Sequence, residues 1–177
     1  MEVLNVERNG QRYLNDPLAP AACGIAYSFA VTIMSNPLMW MELSSLSSDS
    51  AAILSALIRR YRLYQQDLAG GHVLPIGDEP SGTGWTGFQS VIDASRGYVL
   101  VFREFTPNQS STMQLWNMPP DQPVELLHIF SSNTQHEIDT GDHRKEMTTD
   151  ATGGLTFSLP APFTFALYRY QCMDRET

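Results

Sequence analysis

The densest collection of possible metal ligands in this 177-residue sequence lies between residues 128 and 143. It contains imidazole and carboxylate groups, which bind zinc and other divalent ions, on His128, His136, Glu137, Asp139, Asp142 and His143. Their spacing matches neither the HExxH pattern of a metal-binding helix nor the ligand pattern of a calcium loop. His128 fits a strand pattern, and we interpret the segment that carries the other five residues as a solvated hairpin loop. We therefore predict no metal site and no cofactor. A weak calcium or transition-metal site, or a small enzyme centred on this turn, is the alternative.

A second candidate is Glu42, a carboxylate that follows the short apolar run 38–41. If that run is a barrel strand, Glu42 points to the face where barrel active sites form. Glu42 and Trp40 could then border a sugar pocket, because a flat ring packs on a sugar face and a carboxylate accepts hydroxyl hydrogen bonds. The alternative is that Glu42 makes a local cap or salt bridge and that Trp40 belongs to the core.

Aromatic residues supply a third candidate, a platform for carbohydrate. Trp85 and Trp116 are the two that we add to Trp40 and Glu42 as predicted substrate-binding residues. In GYVLVFREF, however, Tyr98, Leu100 and Phe102 share one face of the strand, which indicates burial between layers. Core or interdomain packing is therefore the alternative for the aromatic residues as a group.

The elements that must position these residues change in character near Gly70 and Gly71. Before them, apolar steps of three and four residues predict a helix over 20–34, a strand over 38–41 and a helix from Asp49 or Ser50 to about Leu68. After a loop dense in Gly and Pro, six runs are typical of strands: 86–93, 97–105, 111–116, 124–130, 154–159 and 163–170. The prediction is an α+β fold, mainly an antiparallel β-sandwich preceded by two helices and a short strand. We place a helical segment in residues 1–70 and the sandwich in residues 71–177.

Composition excludes several functional classes. Lys and Arg number 11 against 19 Asp and Glu, a net charge of -8, which is unfavourable for nucleic-acid binding. The apolar stretch 23–41 is interrupted by polar residues and proline, so we predict no membrane helix. The polar, acidic N-terminus does not fit a secretory signal, and a cytoplasmic location is favoured.

A single strand between two helices cannot close a parallel barrel, because each parallel strand needs neighbours on both sides and helices on both faces. The apolar helix over 23–34 would keep an uncovered side. We therefore expect the chain to be the C-terminal piece of a larger protein. Its expected partners are a missing barrel domain or a second copy of the chain, most simply in a homodimer.

Four stretches carry a resemblance to a known family. The first, FAVTIMSNPLMWMELSSLSSDSAAILSALI, resembles the last barrel units of clan D glycoside hydrolases, the α-galactosidase (melibiase) group. The other three, PIGDEPSGTGWTGFQSV, GYVLVFRE and LPAPFTFALYRY, are similar to the C-terminal portions of bacterial α-galactosidase-like enzymes. The resemblance extends over residues 18–171. It implies the end of a (β/α)8 barrel followed by a C-terminal β-sandwich.

The same resemblance implies that the parent enzyme hydrolyses α-galactosides with retention, using two aspartates on earlier barrel strands. No aspartate of this chain matches either role, so we predict no catalytic residue and a noncatalytic region of such an enzyme. An autonomous carbohydrate-binding or protein-interaction sandwich is the alternative function.

Overall fold

The computed structural model describes residue 16 and residues 20–37 and 46–174. In that part of the chain the helical elements are α1 (Pro20–Ala30), a 3₁₀ helix (Ile33–Ser35), α2 (Ser48–Arg62) and α3 (Gln65–Gly70). The strands are β1 (His72–Gly77), β2 (Trp85–Val91), β3 (Arg96–Arg103), β4 (Ser110–Gln114), β5 (Pro123–Ser132), β6 (Ile138–Asp139), β7 (Arg144–Thr148), β8 (Gly154–Ser158) and β9 (Thr164–Cys172). The α+β class with mainly antiparallel sheets is confirmed. The predicted strand over 38–41 lies outside the described residues.

Seven strands form one antiparallel sheet in the order β1-β2-β3-β9-β5-β6, and β7 also pairs with β5. Strands β4 and β8 form a separate two-stranded sheet. The long strand β5 pairs with β9 on one side, while its other side pairs with β7 over residues 123–127 and with β6 at Ser131 and Ser132. One strand thus holds three others in register.

Both faces of the large sheet are covered. On one face, Tyr98, Leu100 and Phe102 of β3 join a core with Phe29 of α1 and Leu57 of α2. On the other face, alternate residues of the same strand pack with the two-stranded sheet, as the period of two requires. Those residues are Val99 and Val101, in one cluster with Met113, Leu115, Leu155 and Phe157. The result is three layers: helices, a seven-stranded sheet and a two-stranded sheet.

Three strands were absent from the sequence prediction because they are edge strands. The sequence pattern predicts no strand in the segments that form β1, β6 and β7. In β7 four of the five residues are exposed, so no apolar alternation marks the strand. Pro75 lies in β1, at the border of the sheet, where a residue without an amide hydrogen is tolerated.

The helices also differ from the prediction in their bounds. α1 ends at Ala30, and a 3₁₀ helix leads to Asn36, whose φ of 54° stops the chain in the left-handed region before Pro37. α2 begins after Ser47, whose side chain accepts a hydrogen bond from the Ser50 amide, and it ends at Arg62. A separate helix α3 follows and ends at Gly70, which is the predicted domain boundary. Since α1 and α2 share a core with the sheet, the helical segment and the sheet pack directly on each other.

No helix in the described part of the chain is long and apolar enough to cross a membrane.

The buried guanidinium of Arg103 links the end of β3 to the loops that follow β3 and β8. Arg103 is 4% exposed. Its Nε and Nη2 donate to the Thr106 carbonyl at 3.2 and 3.0 Å, Nη1 donates to the Leu159 carbonyl at 2.9 Å, and Nη2 also reaches the Pro107 carbonyl at 3.3 Å. The fork of donors in Arg suits this set of divergent acceptors.

Replacing this guanidinium should destabilise the fold. Arg103→Met leaves three carbonyls without their donor in the interior, and we expect a loss of about 3 kcal/mol in the free energy of unfolding. Urea denaturation followed by circular dichroism measures this loss. Arg144→Met is the matched control, because Arg144 forms an ion pair with Glu125 at the surface and should cost less than about 1 kcal/mol. Equal losses in the two variants would contradict the assigned role of Arg103.

Candidate functional site

An open pocket of about 290 Å³ lies beside β5, at the border of the core beneath the two-stranded sheet. Its lining combines apolar and polar side chains. The lining residues are Leu126, His128, Ser131, Ser132, Asn133, Asp139, His143, Lys145, Ser158, Leu159, Pro160, Ala166 and Tyr168. Asp139 is the single carboxylate in this lining. The pocket therefore combines two imidazoles, one carboxylate, one amine and several hydroxyl groups.

His128, Asp139 and His143 meet in this pocket. One ligand atom from each of the three side chains lies within 4.8 Å of the other two. His128 is on β5 and only 7% exposed, Asp139 ends β6, and His143 directly precedes β7. His143 Nε2 lies 3.2 Å from Asp139 Oδ2. Strand β5 and the two strands that pair with its outer side, β6 and β7, thus bring the three groups to one place.

A bulge in β5 sets the direction of His128. The pairing of β5 with β9 shifts between His128 and Phe130. Around this irregularity, the neighbouring Ile129 and Phe130 both pack into the core on the helical side. Bulges redirect side chains in this way. His128 lies on the pocket side, with its ring centroid 5.7 Å from that of Tyr168.

Gly141 orients two of the three groups through its backbone. Its amide donates to Asp139 Oδ1 at 2.8 Å, and its carbonyl lies 2.8 Å from His128 Nδ1. A carbonyl can only accept, so His128 Nδ1 carries the hydrogen and Nε2 carries the lone pair. A Cβ at position 141 would lie 2.9 Å from His143 Nε2 and 3.2 Å from Asp139 Oδ1, so glycine leaves the room that the cluster needs.

The electrostatics of the pocket favour an ionised Asp139. The Gly141 amide lowers the pKa of the Asp139 carboxyl below its usual value, and His128 and His143 lower it further against the cost of burial. Burial raises the pKa of the Tyr168 phenol. At neutral pH the pocket therefore holds an anionic carboxylate beside two imidazoles and a neutral phenol.

The other three residues of the predicted ligand collection do not join the cluster. His136 and Glu137 are exposed in the turn between β5 and β6. Asp142 forms an ion pair with Arg60 of α2, and Arg60 also donates to the Ile129 carbonyl at 3.0 Å. The spacing along the chain could not separate the two sets, because strand pairing decides which side chains face the pocket.

The predicted substrate-binding residues fall in different environments. Trp85 is 3% exposed, and its indole nitrogen donates to the Asn108 carbonyl at 3.0 Å, so its ring has no face available to a ligand. Trp116 is 51% exposed. Trp40 and Glu42 lie outside the described residues.

Trp116 is held rigidly despite its exposure. Its indole nitrogen donates to the Pro75 carbonyl at 2.8 Å. The side chain of Gln89 bonds both main-chain groups of Trp116, accepting from the amide at 2.7 Å and donating to the carbonyl at 3.1 Å. Gln89 is fully buried and also contacts the Tyr170 hydroxyl at 3.0 Å. No signal in the sequence identified Gln89, because its role depends on β2 lying beside the segment that follows β4.

The cysteine thiols are poorly suited to nucleophilic chemistry. Cys23 and Cys172 are both free. Burial, together with the negative charges of Glu104 and Asp16, raises the pKa of Cys23 to about 11. Burial also raises the pKa of Cys172. Since the thiolate is the reactive form, neither side chain is activated at neutral pH.

No protein-family model matches the chain, and no curated protein matches it. Among solved structures, an α-amylase from Geobacillus thermoleovorans, GTA, in complex with acarbose, matches with a TM-score of 0.53 and 13% identity. The match covers 93% of this chain and 36% of the amylase, so the chain spans about a third of that protein's length. The cumin domain of CENP-C from Drosophila melanogaster matches with a TM-score of 0.22 and 10% identity, over 63% of this chain and 82% of that domain. The amylase match shows that the chain shares a fold with about a third of that protein. It does not extend to the α-galactosidase group.

Removing the side chain of Gln89 should release Trp116. We expect Gln89→Ala to speed hydrogen exchange of the Trp116 amide at least ~10-fold and to destabilise the fold by about 2 kcal/mol, because buried polar groups lose their partners. Exchange measured by NMR and thermal unfolding test both effects. Gln114→Ala is the control, since Gln114 is an exposed residue of β4 that bonds Thr152. An unchanged exchange rate in Gln89→Ala would show that Trp116 is held by other contacts.

Proposed function

We propose that this chain is a noncatalytic, β-rich domain of a glycoside-hydrolase-like protein. The observation that carries the proposal is the alignment of 93% of the chain on 36% of an α-amylase at a TM-score of 0.53. The aligned part is about a third of that hydrolase, so the greater part of such a protein would lie outside this chain. At 13% identity the argument rests on the fold alone.

The composition of the pocket supports a noncatalytic role in glycoside hydrolysis. Most glycoside hydrolases use two carboxyl groups, about 5–5.5 Å apart for retention and about 6.5–9.5 Å apart for inversion. The lining of the pocket offers Asp139 as its single carboxylate. Its Oδ1 already accepts from the Gly141 amide, and its Oδ2 faces His143. This pocket therefore lacks the pair that either stereochemical course requires.

A more specific form of the proposal identifies the parent enzyme from the sequence resemblance. On that basis the parent is an α-galactosidase-like enzyme that hydrolyses α-galactosides with retention, and this chain contributes its last barrel elements and its sandwich. The partner would be the barrel domain. Support comes from the four stretches that resemble that family, while the structural match is to an α-amylase.

The helical layer is the surface that such a barrel would cover. Its inward side, with Ile25, Ala26 and Phe29, is buried within the chain. Val31 and Leu63, which directly follow α1 and α2, are 40% and 70% exposed. Burial of these two side chains would favour docking of another domain. Self-association through the same helical layer, in a homodimer, is the competing proposal for this surface.

The purified chain should not hydrolyse glycosides. We expect no turnover of aryl α-galactosides or aryl α-glucosides above the rate of a mock purification, because the described pocket lacks the second carboxylate. A chromogenic assay at several pH values measures this. Turnover that follows the protein through purification and disappears in Asp139→Asn would contradict the noncatalytic proposal.

A second candidate function is carbohydrate binding by the chain itself, and Trp116 is the observation that favours it. An exposed indole can stack on the apolar face of a sugar ring. Three hydrogen bonds with Pro75 and Gln89 fix this indole and its backbone before any ligand arrives. Preorganisation of this kind lowers the entropic cost of binding.

If Trp116 is a sugar platform, Trp116→Ala should abolish binding of an oligosaccharide that the unaltered chain binds. Isothermal calorimetry over a panel of α-galactosides, α-glucans and plant polysaccharides measures the binding, and circular dichroism verifies the fold. Phe105→Ala is the control, because Phe105 is 52% exposed and follows β3. No binding across the panel, or equal binding by Trp116→Ala, would exclude this function.

A further inference from the structure

The cluster formed by His128, Asp139 and His143 has no role in the proposed function. Its three ligand atoms lie within 4.8 Å of one another at the edge of the pocket. We propose that these three side chains bind one divalent transition-metal ion, with Zn²⁺ the best match, and that the ion fastens β6 and the start of β7 to β5. This proposal does not depend on the parentage of the chain.

The positions of the ligands fit the size of such a site. Tetrahedral zinc, with bonds of about 2.0–2.1 Å, requires ligand atoms roughly 3.3 Å apart. His143 Nε2 and Asp139 Oδ2 are already 3.2 Å apart. The side chain of His143 is 67% exposed, so its ring can rotate without repacking the core, whereas His128 is buried and fixed.

The backbone of Gly141 provides an argument that is independent of these distances. Metal-binding histidines almost always donate their second ring nitrogen to a carbonyl or carboxylate, which fixes the tautomer. His128 does this through Nδ1 to the Gly141 carbonyl at 2.8 Å, which leaves the lone pair on Nε2. The Gly141 amide meanwhile holds Asp139 Oδ1 at 2.8 Å. Asp139 Oδ2, which accepts from His143 Nε2 at 3.2 Å, would exchange that hydrogen bond for a bond to the ion. Two of the three ligands are thus oriented by supporting hydrogen bonds.

The chemistry of the donors selects the metal. Two imidazole nitrogens and one carboxylate oxygen suit Zn²⁺ and the later first-row ions, whereas Ca²⁺ takes six to eight oxygen ligands. Lys145 also lines the pocket, but it is exposed, so its ammonium can remain in solvent. The net charge of -8 favours a cation over an anion in general. Three protein ligands leave one coordination position open toward the pocket.

The topology indicates what the ion would do. β6 is only two residues long, and it pairs with β5 at Ser131 and Ser132. β7 is a polar edge strand with four exposed residues among its five. Few apolar contacts hold these segments, so a bond from His128 to Asp139 and His143 through one ion would add substantially to their attachment.

The test is a titration of the full chain, without an affinity tag, after metal removal by a chelating resin. Calorimetry with ZnCl₂ should give one ion per chain, and ZnCl₂ should raise the midpoint of thermal unfolding in proportion to the occupancy of the site. Titration with CoCl₂ should give the strong visible absorption of tetrahedral cobalt. No saturable binding of Zn²⁺, or weak octahedral-type cobalt absorption alone, would overturn the proposal.

Variants locate the site. Asp139→Asn and His143→Gln each remove a ligand from a partly or fully exposed position, and each should weaken Zn²⁺ binding at least ~10-fold. Gly141→Ala keeps all three ligands and both supporting backbone bonds but places a Cβ 2.9 Å from His143 Nε2 and 3.2 Å from Asp139 Oδ1, so it should weaken binding less than the loss of a ligand does. The matched control is His136→Gln, which removes an exposed histidine of the same segment and should leave the affinity unchanged. Circular dichroism verifies that each variant is folded.

Two patterns would contradict the assignment of the ligands. One is an affinity that stays the same in both Asp139→Asn and His143→Gln. The other is an equal loss in His136→Gln, which would indicate adventitious binding to surface histidines.

Discussion

The structure depends on the burial of both faces of the central strands β3, β9 and β5. In β3 seven of the eight residues are buried, and its neighbours in the sheet are β2 and β9. Such a strand is stable only when each face is covered by an apolar layer, since every residue along it points to one layer or the other. The helices cover one face and the two-stranded sheet covers the other, which explains why a chain of this size contains three layers.

The same constraint explains where polar groups enter the interior. Arg103 lies at the end of β3, next to loops whose carbonyls face inward. Its guanidinium donates hydrogen bonds to these carbonyls. Gln89 plays the corresponding part on β2 by satisfying the backbone at Trp116. A buried polar group is tolerated when its partners are complete. Both residues are thus structural, and Gln89 also fixes the backbone of Trp116, whose exposed indole is the candidate sugar platform.

β5 links the fold to the pocket. It pairs with three strands, and its bulge places His128 on one face and Ile129 with Phe130 on the other. The edge strands β6 and β7 then bring Asp139 and His143 to the same point. A pocket at the edge of a sheet, bordered by strands with few apolar contacts, is where a ligand can contribute most to local stability. This geometry is separate from Trp116, which lies beyond β4 and contacts β1 and β2.

The sequence by itself determined the α+β class, the helix–strand division near residue 70 and six of the strands, because buried elements impose apolar periods of 3.6 or two residues on the chain. It did not reveal β1, β6 and β7, since exposed edge strands need no such period. It also could not decide whether a candidate residue is buried or exposed, or whether it joins the pocket. Trp85 and Trp116 have the same side chain, and their burial depends on which layer lies above them. His128, Asp139 and His143 converge while His136 and Asp142 do not, because convergence is set by strand pairing and a bulge. Those are long-range contacts, and only the tertiary structure decided them.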